Sequence, residues 1–333
     1  MSRYRPWGLL DWLLPKTSVQ SWSLLACIGT EERSLVAWET LRRLGVLGFA
    51  SFVRLLPHGH NRFSQQTAQL FQQRLAEFRA LGGRDQDVSE IELLVRYGDI
   101  VDFVDRFLAR GHSSVALDLS VLPKRFFFPF VRRIMDRRPA VENFVAIYTR
   151  PQKYTEGPLS ENPAEWDHLP LFSGSPTYTQ PIPESLVIGV GFEPLGLQAH
   201  VEQGGVPVRL LLPFPSAPEA YRRSWEFARI LQKHRDPQHV RLYRTHSFDP
   251  SDTFDRLASL TNGGKSRTVL APYGPKPMSL GMCLFARLTE TPVYYTQPTV
   301  YSPAYSHGVA VEDGSRMTYG YVIRLANQDM FTL

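Results

Sequence analysis

The chain has 333 residues, 43% hydrophobic and 21% charged. That suffices for two cores at ~150 residues per domain and excludes a disordered, collagenous or coiled-coil chain. No run approaches the ~20 uncharged apolar residues of a membrane-spanning helix, and two cysteines, Cys27 and Cys283, are too few for a structural zinc site or a disulfide framework. The formal charge of +5 is uneven, with 22 Lys and Arg against 16 Asp and Glu in residues 1–160 and 15 against 16 in 161–333. Such a surplus attracts phosphate-bearing partners, but no cationic run is dense enough for a nucleic-acid-binding arm. The sequence reads as a soluble, cytoplasmic protein of a reducing compartment.

Residues 1–22 form an amphipathic opening. Trp7-Gly8-Leu9-Leu10-Asp11-Trp12-Leu13-Leu14 is interrupted by Asp11, stopped by Pro15, and too short for a signal peptide. It reads either as a docking peptide for an effector partner, presenting Trp7 and Trp12, or as a segment folded back on the protein's own surface. A first lobe follows over 23–155, with apolar strand runs at 23–28, 49–56, 114–119 and 143–148. These runs are continuous rather than alternating, as when helices cover both faces of a sheet. Helical patterns lie between them at 63–81 and 100–110, and Asp85-Gln86-Asp87 reads as a solvated connector. Residues 156–183, rich in Pro, Ser and Gly, read as a linker or a long ordered loop. A second lobe is expected over 184–333.

The two halves repeat one another. Gly29-Thr30-Glu31 and Gly191-Phe192-Glu193 each follow an apolar run, and Leu55-Leu56-Pro57 matches Leu211-Leu212-Pro213. Asp102, Lys124 and Tyr148 pair with Asp252, Lys276 and Tyr295 in the same order at nearly one offset. Internal repeats of this kind are a fold-level signal. Alternating strands and helices in ~30-residue units predict parallel, right-handed crossovers. The expected fold is α/β, with two duplicated Rossmann-like lobes, each a doubly wound, mostly parallel sheet.

Open parallel sheets bind ligands beyond the carboxyl ends of their strands, so the turns after the strands hold the candidate residues. In the first half these are Thr30, Glu31, Arg33, Ser120, Lys124 and Arg125; in the second, Gly191, Glu193, Tyr273, Gly274, Lys276 and Ser279. The turn Tyr273-Gly274-Pro275-Lys276-Pro277-Met278-Ser279 carries the sharpest pattern. A helix start offers backbone N–H groups to an anion, Lys276 adds a mobile charge and Ser279 a hydroxyl. Only six of the 37 cations are Lys, and two of them, Lys124 and Lys276, hold matching places. Neither a Walker loop nor a Gly-x-Gly-x-x-Gly fingerprint is present, so no dinucleotide cofactor is expected. His58 and His60 read as loop residues rather than metal ligands, and Cys27 as an inert core thiol. Tyr301, Tyr305 and His307 could stack on bases or pack beneath a loop.

The stretch Tyr273-Gly274-Pro275-Lys276-Pro277-Met278-Ser279-Leu280-Gly281 resembles the Gly-Thr-Lys-Pro-Met-Ser turn of CRISPR-associated Rossmann-fold (CARF) sensor domains, with Pro275 where those turns carry Thr. The first half keeps only Leu122-Pro123-Lys124 of it. In that family paired turns hold a cyclic oligoadenylate, and the related SAVED sensors fuse two such units in one chain. The resemblance implies a sensor of a nucleotide second messenger, bound in a cleft between the lobes, that signals to a separate effector in prokaryotic antiviral defence. Two other readings stay open: an enzyme acting on a nucleotide or phosphorylated metabolite, with Glu31, Glu193 or Asp118 as acid or base, and a ligand-free adaptor.

Overall fold

The computed structural model describes residues 5–174, 183–193, 195–197, 201, 205–215, 218–233 and 239–333. The chain divides into two compact units, Met1–Asn162 with Thr299–Met330, and Pro163–Pro298 with Phe331–Leu333.

The first unit is built on an eight-stranded sheet. Five strands run parallel in the order β6 (Asn143–Thr149), β5 (Ser114–Asp118), β2 (Trp22–Ile28), β3 (Leu47–Leu56) and β4 (Val88–Glu92). Every residue of β2 is buried. Successive side chains point to opposite faces, so both faces of this strand are covered, and that explains its unbroken apolar run. Helix α2 (Val36–Arg43) supplies Trp38, whose ring packs 5.9 Å from Phe52 of β3 and 4.9 Å from Phe78 of α3 (Ser64–Ala80). Helix α4 (Tyr97–Leu108) buries Ile100, Phe103, Val104, Phe107 and Leu108, a 3.6-residue stripe. It packs on α5 (Lys124–Asp136) through Phe103 and Phe130, 5.7 Å apart.

Two expectations give way in this unit, and one choice left open by the sequence is decided. Strand β4, Val-Ser-Glu-Ile-Glu, was absent from the predicted elements; it is a partly exposed edge strand, so no continuous apolar run announces it. Residues 299–330, assigned by sequence to the second lobe, complete the first sheet instead. Strand β17 (Thr318–Leu325) pairs antiparallel with β6 and buries Tyr321, Val322 and Ile323. The amphipathic opening is not a free docking peptide. Its β1 (Trp7–Leu9) pairs antiparallel with β17, Trp7 packs 6.0 Å from Tyr319 and 6.1 Å from Tyr321, and Leu10, Leu13 and Leu14 are buried in and just after α1 (Leu10–Leu13). Trp12 alone of this pair stays outside, 56% exposed, with Lys16 over its ring.

The second unit holds a parallel sheet in the order β11 (Val240–His246), β10 (Val208–Phe214), β9 (Ser185–Gly189), β12 (Thr268–Pro272). Leu270 of β12 also makes a parallel bridge to Val293, just before β13 (Tyr294–Tyr301). Helices α6 (Pro218–Lys233), α7 (Pro250–Leu260) and α8 (Lys276–Thr289) connect these strands. Asp249 caps α7 by accepting from Ser251 N at 2.8 Å, with Pro250 at its first position. A methyl group on Gly281 would lie 2.4 Å from Pro250 O, so only glycine admits so close a crossing of α7 and α8. Within the expected linker, β8 (Ser160–His168) pairs with β13, and residues 175–182 of it lie outside the described residues.

Candidate functional site

Numbered by order of appearance, the parallel strands read 3-2-1-4-5 in the first sheet and 3-2-1-4 in the second. The strand order therefore reverses between β2 and β5, and again between β9 and β12. Ligands of open α/β sheets bind outside the carboxyl ends at these reversals. The turns that carry the candidate residues fall there.

At the first reversal the turns after β2 and β5 meet, a methyl on Gly29 lying 3.3 Å from Val121 Cγ2. Arg33, 3% exposed, directs Nε and Nη2 at Glu31 Oε2 (3.0 and 2.9 Å) and donates from Nη1 to Thr149 O at 3.1 Å. Burial works against its charge, but Glu31, Tyr148 and Tyr154 outweigh burial and hold the guanidinium pKa above its ordinary value. Asp118 Oδ1 accepts from Ser120 N (2.8 Å) and Oγ (2.5 Å), and Ser120 Oγ in turn accepts from Thr149 N at 2.8 Å. Thr149 thus ties Arg33 to Ser120. Lys124, 8% exposed, is the first residue of α5, behind Pro123, whose position provides no side-chain cap. Thr30 is half-buried beside them. Arg125 belongs elsewhere: it donates to Val95 O at 2.6 Å and lies 4.5 Å from the Tyr97 ring, holding the start of α4.

Residues that the sequence reading passed over close this end of the sheet. Ser306 Oγ donates to Glu31, and Gly308 N donates to Glu32. Strand β14 (Ser306–His307) pairs with β7 (Lys153–Tyr154). The Tyr154 phenol lies 3.3 Å from that of Tyr148, and burial, then Tyr148, push its pKa up while Arg33 opposes them. Tyr305 packs 6.1 Å from Tyr154 and 6.4 Å from Tyr301. These rings pack on one another, each half-buried, with His307 exposed beside them.

At the second reversal, backbone and sulfur fill the space. A methyl on Gly191 would lie 2.1 Å from Tyr273 O, one on Gly274 2.4 Å from Met278 Sδ, and one on Gly189 2.9 Å from Met282 Sδ. The Tyr273 hydroxyl donates to Thr296 Oγ1 at 2.8 Å and accepts from Thr296 N at 3.1 Å; burial drives its pKa up. Ser279, fully buried, donates to Gly274 O at 3.2 Å. Tyr273 and Ser279 therefore shape the turn instead of facing outward as expected. Glu193 pairs with Arg223, whose guanidinium lies 5.1 Å from the Phe192 ring. Lys276, half-buried, is the first residue of α8, behind Pro275, which again provides no side-chain cap. The two lysines occupy one place in the two sheets: the first residue of the helix that follows the fourth strand.

Glu31, Glu193 and Asp118 each engage a cation or hydroxyl of the protein itself. Among the described residues no group of three or more His, Cys, Asp or Glu is placed to hold a metal, and no helix is long and apolar enough to cross a membrane.

No family model matches the chain, and no curated protein matches it. Among solved structures it is similar to a universal stress protein of Pseudomonas aeruginosa UCBPP-PA14, at 12% identity and a TM-score of 0.25 over 86% of this chain and 95% of that one. It is also similar to the CobK precorrin-6A reductase (13%, TM-score 0.25, 84% and 90%) and to a ketoreductase domain of the bacillaene assembly line (10%, TM-score 0.22, 86% and 68%). Likenesses this distant carry no functional weight. Strand order and pairing define the class: an α/β protein with Rossmann-like, mostly parallel sheets.

Proposed function

We propose that the chain is a binding protein for a nucleotide-type, phosphate-bearing ligand, taken at the carboxyl ends of its parallel sheets, that relays binding to a separate effector. The observation that carries this reading is the repeated lysine. Lys124 and Lys276 each open the helix after the fourth strand, behind a proline without a side-chain cap. Cations are ordinarily disfavoured at a helix N-terminus by the macrodipole, so two such placements suit an anion that both lysine and backbone N–H groups can hold. The turn around Lys276 resembles the CARF turn, which supports a cyclic oligonucleotide messenger, a duplicated origin for the two sheets, and a place in cytoplasmic antiviral defence.

Isothermal titration of the purified chain against a nucleotide panel, cyclic oligoadenylates included, tests the proposal. One member is expected to bind. Lys276→Ala and Lys124→Ala are each expected to weaken it roughly ten- to a hundred-fold, the size of one lost charge-assisted contact. No binding across the panel, or unchanged affinity in both folded variants, would defeat it. Chromatography after incubation is expected to return the ligand intact. Turnover abolished by Glu31→Gln or Glu193→Gln would make the protein an enzyme instead.

A further inference from the structure

The second unit carries an exposed aromatic and cationic face on the outer side of α6, whose inner side packs on the second strand reversal through Arg223, Ser224 and Phe227. Four of the nine large hydrophobic side chains more than a third exposed among the described residues fall within 214–230: Phe214, Tyr221, Trp225 and Ile230. Exposed apolar groups concentrated in this way mark interaction surfaces. Helix α6 packs on β10 and buries Ser224, Phe227, Ala228 and Leu231. Tyr221 (50% exposed), Trp225 (41%), Arg229 and Lys233 remain outside. Their four-residue spacing places them in one row along the helix, about 18 Å long at ~1.5 Å per residue. Arg222 stands beside the row, paired with Glu226 at 3.0 Å. At the end of β10, Phe214 (49% exposed) has the Arg244 guanidinium 5.3 Å from its ring.

Charge selects the occupant. On α6, Arg222, Arg229 and Lys233 are exposed beside one acid among the side chains described there, Glu226, and Arg244 adds a further cation at Phe214. A second copy docked on it two-fold would set these cations against their own equivalents. Exposed rings spaced among guanidinium groups instead match a chain that alternates flat bases with phosphates, because bases stack on rings and phosphates pair with arginine. We infer that the outer face of α6, with Phe214 and Arg244, binds single-stranded nucleic acid. This surface is independent of the nucleotide-binding proposal and uses neither Lys124 nor Lys276.

Fluorescence anisotropy with labelled oligo-dT and oligo-rU of about 15 nucleotides, within the ~4–16 nucleotides of known single-strand sites, tests it on the full chain. Saturable binding is expected, weakening with salt at a log–log slope of about −2 to −3 if three or four phosphates are paired. Trp225→Ala should weaken binding roughly ten-fold, the order of one lost base stack, and Arg244→Ala should reduce the slope by about 0.7. Trp12→Ala, which removes the exposed tryptophan of the other unit, should change nothing. Absence of binding to both strands would overturn the inference. So would equal losses in Trp12→Ala and Trp225→Ala, preference for an acidic peptide over both strands, or Trp225-dependent dimerisation.

Discussion

At the carboxyl end of the first sheet, β2 and β5 lead into charged and hydroxyl side chains. At that of the second, β9 and β12 lead into glycine and sulfur. The first four parallel strands share one order, so the topology at the reversal does not set this difference. Residue size does. A methyl on Gly29 would be a few tenths of an ångström tight against Val121, and Glu31, Arg33, Ser120 and Thr149 form a hydrogen-bonded network there. Gly191 presses its backbone on that of Tyr273, and Met278 closes over Gly274 and Gly189. A Rossmann-like reversal can thus be a polar site or a packed joint. What both ends keep in common is the lysine at the following helix start.

The largest expected effect comes from breaking the polar end. Arg33→Ala strips a buried guanidinium from Glu31, whose side chain is only 11% exposed, and losing one partner of a buried pair costs ~3–5 kcal/mol. Arg223→Ala breaks the Glu193 pair, exposed by 17% and 22%, and should cost about 1 kcal/mol. Denaturant unfolding, with hydrogen exchange to show which unit opens, measures both; equal losses would erase the contrast.

Adding one methyl group probes the packed end. Gly191→Ala places a carbon 2.1 Å from a carbonyl oxygen that cannot swing away, and should lower stability by about 1–3 kcal/mol. Gly29→Ala places its carbon 3.3 Å from Val121 Cγ2 and 3.4 Å from Val121 Cβ, a much milder approach. Its small crowding is offset by the ~0.4–1 kcal/mol gained from a stiffer unfolded chain, so thermal melts should show it near neutral. The reverse order would mean that the second joint is the looser one.

The smallest effect concerns the helices before the fourth strand. On α4, Asp105 accepts from Arg133 at 2.9 and 2.6 Å, and these bonds hold its carboxyl below the usual range against some burial. On α7, Asp252 accepts from the His246 amide at 2.6 Å instead. A depressed carboxyl stabilises the fold above the unfolded value of ~3.9 and loses that contribution as pH falls through its folded value. Asp105→Asn should therefore cost up to about 1 kcal/mol at neutral pH and nothing at the acid end of a urea-melt series. A pH-independent cost would assign Asp105 to packing.

Legibility followed burial. The runs at 23–28, 114–119 and 143–148 stood out because covered strands must be apolar on both faces. Strand β4, partly exposed at the sheet edge with only Val88 and Ile91 apolar, gave no such signal. The matching lysines were visible because Lys is scarce in this chain. The Ser306 hydroxyl on Glu31 was not, since it joins residues 275 apart and serine has no spacing that marks a distant partner.

The sequence by itself determined the alternation of strands and helices, the apolar strands, the turns after them and the place of Lys124 and Lys276. All of these depend on local period and on residue type. Tertiary structure alone decided that residues 299–330 complete the first sheet and that Trp7 packs on Tyr319 and Tyr321. It also decided that one strand reversal is polar and the other packed. A strand's apolar pattern states that it must be covered, but not by which partner; pairing is settled by which buried faces and backbone groups remain to be satisfied once the chain is compact.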